Sequence, residues 1–164
     1  MTNKKMISAL NGQIKEELYS SYLYLAMSAY FESENLTGFA NWMRVQAQEE
    51  ISHAMKFYHY IFEREGDVEL QALEKPPKSW KSTLDAMQDA YKHEQKISQM
   101  IDKLVDLAVK EKDHATSAFL QWFVNEQVEE EASVNAIVQQ LKLIGDQRGG
   151  LFMLNRELGS RSAD

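Results

Sequence analysis

The chain has no cysteine, which removes disulfides, thiolate metal sites and cysteine nucleophiles in one step. Its two prolines are adjacent, Pro76 and Pro77, and only seven glycines occur in 164 residues. Long helices can therefore run uninterrupted on both sides of that proline pair. Positive charge is short as well: 18 Lys and Arg stand against 25 Asp and Glu, a formal net charge of −7. Nucleic acid is not the expected main partner of such a chain, because phosphate binding needs clustered basic side chains. No apolar run is long enough to span a bilayer, so no membrane association is expected. The opening MTNKKMISAL has two lysines, but Asn11, Gln13 and Lys15 deny it a continuous apolar run, and it does not read as a signal peptide. The chain reads as cytoplasmic and as one domain over 1–164.

What is present is helical periodicity. Apolar residues recur at steps of three and four in four segments, about 4–33, 38–65, 82–110 and 114–144. Thr37 and Asp113 read as N-caps, the third helix begins near Ser82, and Gly66 and Gly145 read as C-terminal stops. A short amphipathic helix, about 149–158, has Leu151, Phe152, Leu154 and Leu158 on one side, and Ser160–Asp164 reads as a loose tail. Short connections make the first and second helices one antiparallel hairpin and the third and fourth another. The stretch Asp67–Lys81, at about 3.3 Å per residue, reaches about 50 Å. The second helix is about 42 Å long at about 1.5 Å per residue, so this stretch can cross the whole bundle. The expected fold class is all-α: a four-helix bundle of two hairpins, one long crossover and a short fifth helix.

Each of the four seams carries a carboxylate at mid-length. The stripes read Ile14–Glu17–Ser21–Tyr24, Gln46–Glu50–His53–Phe57, Tyr91–Glu94–Ser98–Ile101 and Phe123–Gln127–Glu130–Val134. With the long crossover, Glu50 and Glu94 both lie about 12 residues, roughly 18 Å, from one end of the bundle. Glu17, Gln127 and Glu130 fall within a turn or two of the same layer. Four buried carboxylates would repel one another or take up protons. No Lys or Arg lies on these stripes, so two divalent cations from outside would balance the four charges. His53 follows Glu50 by three residues and projects toward the same ion. Oxygen-rich ligation with one imidazole suits iron or manganese and not a closed zinc site. The fourth helix offers Gln127 and Glu130 where a second Glu-x-x-His would complete a symmetric centre. The second position is therefore expected to bind more weakly.

Several residues admit two readings. Gln127 is a ligand or a structural hydrogen-bonding group. Tyr24, two turns from Glu17, is core packing or a reductant for an oxidised centre, and Trp122 is a similar candidate. Glu49, Glu126 and Glu129 are a solvated face or a third, peripheral metal site. His59, His93 and His114 lie off the stripes and read as surface or interface residues. Tyr19, Tyr22, Leu25 and Trp42 lie off the seams as candidate association surfaces. A di-iron or di-manganese oxidase with an organic substrate competes as a function, but it usually carries two Glu-x-x-His pairs. A purely structural bundle fails on the cost of the buried charge.

The segments ELYSSYLYL, NWMRVQAQEEISHAMKF, YKHEQ and FLQWFVNEQVEEE together resemble the prokaryotic non-haem ferritins over essentially the whole length. The resemblance implies a ferritin-like fold and a hollow shell of 24 subunits. It also implies Fe(II) oxidation by O2 or H2O2 at intrasubunit centres and storage of ferric oxyhydroxide mineral. Glu17, Glu50 and His53 resemble the first iron site of that family. Glu50, Glu94 and Glu130, with Gln127 close by, resemble the second, and Glu49, Glu126 and Glu129 the third. Haem is not implied. Haem-binding relatives have Met where this chain has Ile51, and His where it has Glu130.

Overall fold

Three helices begin with a side-chain cap. Asn3, Ser82 and Asp113 accept the N–H groups of Met6, Asp85 and Thr116 at 2.8, 3.0 and 3.1 Å. They start α1 (Lys4–Ser33), α3 (Thr83–Lys110) and α4 (His114–Ile144). The start of α2 (Thr37–Glu63) has no cap of its own, and Thr37 is already its first helical residue. Its orphan donors are satisfied from α5 (Arg148–Leu158). Asn155 Oδ1 accepts the N–H groups of Gly38 and Phe39 at 2.9 and 3.1 Å. Among the described residues, 3–163 of this computed structural model, there are helices and no strands.

Three helices also share one ending. Leu36, Gly66 and Asp113 donate to the carbonyls of Phe31, Ile61 and Ala108, five residues back, at 2.9, 2.9 and 2.8 Å. The residues before them, Asn35, Glu65 and Lys112, take positive φ of 60°, 57° and 55°. The residue turning α2 is thus Glu65 and not Gly66. Gly66 lies close against Ile7: a Cβ there would fall 2.5 Å from Ile7 Cδ1, and that side-chain end would have to shift. Gly145 ends α4 with φ of 58°.

The tight reversals pair α1 with α2 and α3 with α4, and α1 packs on α3. The segment between α2 and α3 runs the length of α1. Asn11 receives Glu69 N–H at 2.8 Å and donates to Asp67 O at 2.9 Å. Lys15 pairs with Glu74 at 2.9 Å, and Trp80 lies edge-on to Tyr30 at 5.4 Å. These fastenings carry the chain from one end of the bundle to the other, as the crossover requires.

The apolar interior is divided. One cluster holds Tyr24, Phe31, Phe39, Met43, Met87 and Val134. The other holds Leu10, Ile14, Phe57, Ile97, Leu120 and Phe123. Along every helix of the bundle the change from one cluster to the other falls at the mid-length carboxylate.

Four expectations are corrected. The buried face of α3 includes Ala90, His93, Ile97 and Leu104, because a globular helix buries a wider arc than a two-position seam. His93 is therefore interior, with Nε2 2.7 Å from Ser20 Oγ. Trp42 is buried at 7% exposure, whereas Tyr22 and Leu25 do stay exposed. Leu154 and Leu158 face inward on α5, but Phe152 is 76% exposed. The segment after α5 is docked, since Arg161 bonds to Trp42, Gln46 and Glu49; Asp164 lies outside the described residues.

Replacing Asn155 by Ala leaves two helix donors without their acceptor. The expected cost is about 1 kcal/mol, or a fall of about 2–4 °C in Tm. Gly38→Ala should cost more, since its Cβ would fall 1.6 Å from Asn155 O and lift α5 away. Thermal unfolding followed by circular dichroism checks the order; an equal or smaller loss for Gly38→Ala would mean that α5 does not bear on this turn.

Candidate metal centre

Burial and neutral donors shape the layer between the two apolar clusters. Glu17 on α1, Glu50 and His53 on α2, Glu94 on α3, and Gln127 and Glu130 on α4 are all buried. Gln13, one turn before Glu17, donates to Glu17 Oε1 at 2.9 Å. Gln46, one turn before Glu50, donates to Glu50 Oε1 at 3.2 Å and also to Glu130 Oε2. Tyr24 donates to Glu94 Oε1, and Gln127 Nε2 donates to Glu94 Oε2 at 3.1 Å. Each carboxylate is thus oriented by an amide or phenol, and none by a Lys or Arg. Neutral donors fix the geometry and leave the negative charge uncompensated.

Glu17 Oε2 stands apart. Among the described residues it is the buried side-chain polar atom without a hydrogen-bond partner. Such an orphan is costly unless a proton shared with Glu50, a water or an ion reaches it. His53 Nδ1 lies 3.1 Å from Glu50 Oε2 and 3.9 Å from Glu17 Oε2, while its Nε2 lies 3.8 Å from Glu126 Oε1. Trp122 packs edge-on to the His53 ring at 5.5 Å.

Three groups of side chains have ligand atoms within 4.8 Å of one another: Glu17–Glu50–His53, Glu50–Glu94–Glu130 and His53–Glu126–Glu130. The first two share Glu50. Of the three residues read as a peripheral site, Glu126 enters such a group, next to His53. Glu49 is held by Arg161 at 3.0 Å, and Glu129 is exposed. The opening toward this side, about 230 Å³, is lined by Glu49, Ser52, His53, Lys56, Trp122 and Glu126 among others.

Without a cation the layer holds protons. Burial pushes Glu17 up to about 7 and, with the nearby Glu94, pushes Glu130 up to about 8. Burial also raises Glu50 well above the ordinary range, reinforced by Glu94 and Glu17, and it raises Glu94. His53 is depressed to about 4 by burial and then by Lys56, so its imidazole is neutral and free to ligate. Tyr24, buried against Glu94, is held well above its ordinary value and stays a phenol.

Gln13, Gln46 and Arg161 belong to this site although the sequence reading does not assign them to it. The two glutamines carry a signal in their spacing, each four residues before a core glutamate. Arg161 carries none, because its partners lie more than a hundred residues away.

Residues 7–144 match the family model described as a ferritin-like domain. A bacterial non-heme ferritin of Bacteroides fragilis is 44% identical over 98% of this chain and 100% of its own length. One from Staphylococcus aureus is 38% identical over 100% of this chain and 99% of its own. Among solved structures, the open pore ferritin of Archaeoglobus fulgidus superposes with a TM-score of 0.98 at 51% identity, over 99% of this chain and 100% of that one. An engineered closed form of the same protein gives 0.99 at 51% identity, with both chains covered in full.

The raised carboxyls fix the sign of a pH effect. Folded protein binds more protons here than unfolded protein, so the metal-free fold is favoured below an ordinary glutamate value and loses stability as pH rises through the values near 7 and 8. In chelator, Tm should fall between about pH 5 and pH 8, and Glu130→Gln should flatten that fall. Calorimetry compares the slopes; equal slopes would show that Glu130 does not hold the proton.

Proposed function

The chain belongs to the ferritin family, and on that premise we propose that it is an iron-storage ferroxidase. It oxidises Fe(II) at the buried carboxylate layer with O2 or H2O2. The Fe(III) product mineralises as ferric oxyhydroxide within a hollow shell built from 24 copies. The whole chain acts as one ferritin-like unit in a cytoplasmic setting; no helix among the described residues is long and apolar enough to cross a membrane.

Iron is the substrate. One Fe(II) is held by Glu17, Glu50 and His53, and the other by Glu50, Glu94 and Glu130 with Gln127 alongside. Two Fe(II) supply two electrons, which with two protons reduce O2 to H2O2, or H2O2 to water. Glu50 belongs to both positions and keeps the two ions close. Tyr24 orients Glu94 and is placed to yield an electron, its phenolic proton passing to that carboxylate. Glu126 beside His53 serves as the outer, peripheral point of binding, with Glu49 and Glu129 on its flanks.

The observation that carries this reading is Glu17 Oε2, an unpartnered buried oxygen facing a carboxylate layer that no cationic side chain neutralises. The donor set, carboxylate oxygens with one neutral imidazole, suits iron. An opening of about 230 Å³, with Glu49 and Glu126 in its wall beside Lys56 and Trp122, is of a size for small cations. It falls below the roughly 300–1,000 Å³ typical of sites for organic molecules.

Anaerobically loaded protein mixed with O2 should show a fast absorbance phase equivalent to two Fe(II) per chain before slower mineral growth. Glu50→Ala or His53→Ala should abolish the fast phase while helix content and assembly persist, since the two apolar clusters on either side of the layer are left intact. Glu130→Ala should keep one bound ion. Stopped-flow absorbance decides the first two; no fast phase in the unmodified protein, or variants as fast as it, would overturn the proposal.

A further inference from the structure

The segment after α5 contributes no ligand to the centre, yet it is fastened to α2 up to the edge of the carboxylate layer. Asn41 Nδ2 donates to the carbonyls of Leu158, Gly159 and Arg161 at 3.5, 3.4 and 2.9 Å. The Arg161 guanidinium stacks 4.3 Å above the Trp42 ring and donates to Trp42 O at 3.2 Å. It also donates to Gln46 Oε1 and Glu49 Oε2, each at 3.0 Å. Gln46 is fully buried, and its amide nitrogen reaches Glu50 Oε1 and Glu130 Oε2.

A guanidinium has donors only. The amide oxygen of Gln46 must therefore face Arg161, and its NH2 must face the two carboxylates. The reversed amide would set oxygen against carboxylate and N–H against a cation. Arg161 thereby fixes Gln46 as a donor on both Glu50 and Glu130. Two effects of this arrangement weaken a cation between Glu50, Glu94 and Glu130, and a third bears on its approach. The amide occupies lone pairs on two of the three carboxylates. A positive charge sits one side chain away. Glu49, on the wall of the opening, is already paired. The Glu17–Glu50–His53 position is touched less, because His53 meets Glu50 at Oε2 and Gln46 holds Oε1.

We propose that Arg161 is a positioning residue that keeps the Glu50–Glu94–Glu130 position weak for divalent cations by locking Gln46 as a donor to it, so that an ion bound there moves on. The inference rests on the proposed two-ion reading of the site.

The test is anaerobic titration of the full chain with Co(II), read from its visible absorption. The unmodified chain takes up two ions, the second more weakly. Arg161→Gln should bind the second ion about tenfold more tightly, within the usual range of couplings between sites, and change the first far less. In a Gln46→Met background, which cannot be locked, the gain from Arg161→Gln should shrink. A merely structural tail would weaken both ions together and would not depend on Gln46. Unchanged or weaker second-ion binding in Arg161→Gln, or an undiminished gain without Gln46, overturns the inference alone. Uptake of a single Co(II) by the unmodified chain overturns the two-ion reading and the inference with it.

Discussion

Four carboxyl groups packed between two apolar clusters cannot all be ionised unless a cation joins them. The bundle is arranged around that constraint. Burial holds protons on the empty layer, and Gln13, Gln46, Tyr24 and Gln127 aim its oxygens without cancelling their charge. A Lys or Arg among those donors would cancel that charge from within the chain. The residues chosen instead leave Glu17 Oε2 unpartnered. A buried oxygen without a donor costs stability at that point.

The helices and their topology are legible in the sequence because each rests on local, repeated signals. Apolar spacing marks the seams, Ser82 and Asp113 mark two starts, and the length of the crossover implies which helix ends lie together. Counting residues from those ends brings Glu17, Glu50, His53, Glu94, Gln127 and Glu130 to one height, and the structure places them in one layer. The features that escape such a reading depend on partners far apart in the chain. The cap of α2 comes from Asn155, and the partner of Gln46 is Arg161. His93 falls outside a two-position seam because that seam is narrower than the arc α3 buries. At Gly66 the sequence signal is displaced by one residue: the backbone turns at Glu65, and the glycine makes room for Ile7.

The fifth helix contributes no carboxylate to the layer, yet it governs one edge of it. Asn155 completes the first turn of α2, Asn41 ties down the chain beyond α5, and Arg161 ends at Gln46. These contacts lie along one helix from its first turn to the layer. The last of these contacts, Arg161 to Gln46, stands one side chain from Glu50 and Glu130.

The division of the interior into two clusters bears on cooperativity. Apolar packing is continuous within each half, but the halves meet across a polar layer whose cohesion depends on what is bound there. At mid-height the helices run on unbroken and are tied to one another by Gln46 to Glu130, Tyr24 to Glu94 and Gln127 to Glu94. A cation shared among α1, α2, α3 and α4, as proposed above, would add a further tie between them at that height. Occupancy of the layer would then stabilise both halves at once, because a ligand bound where they meet favours the fold that contains them both.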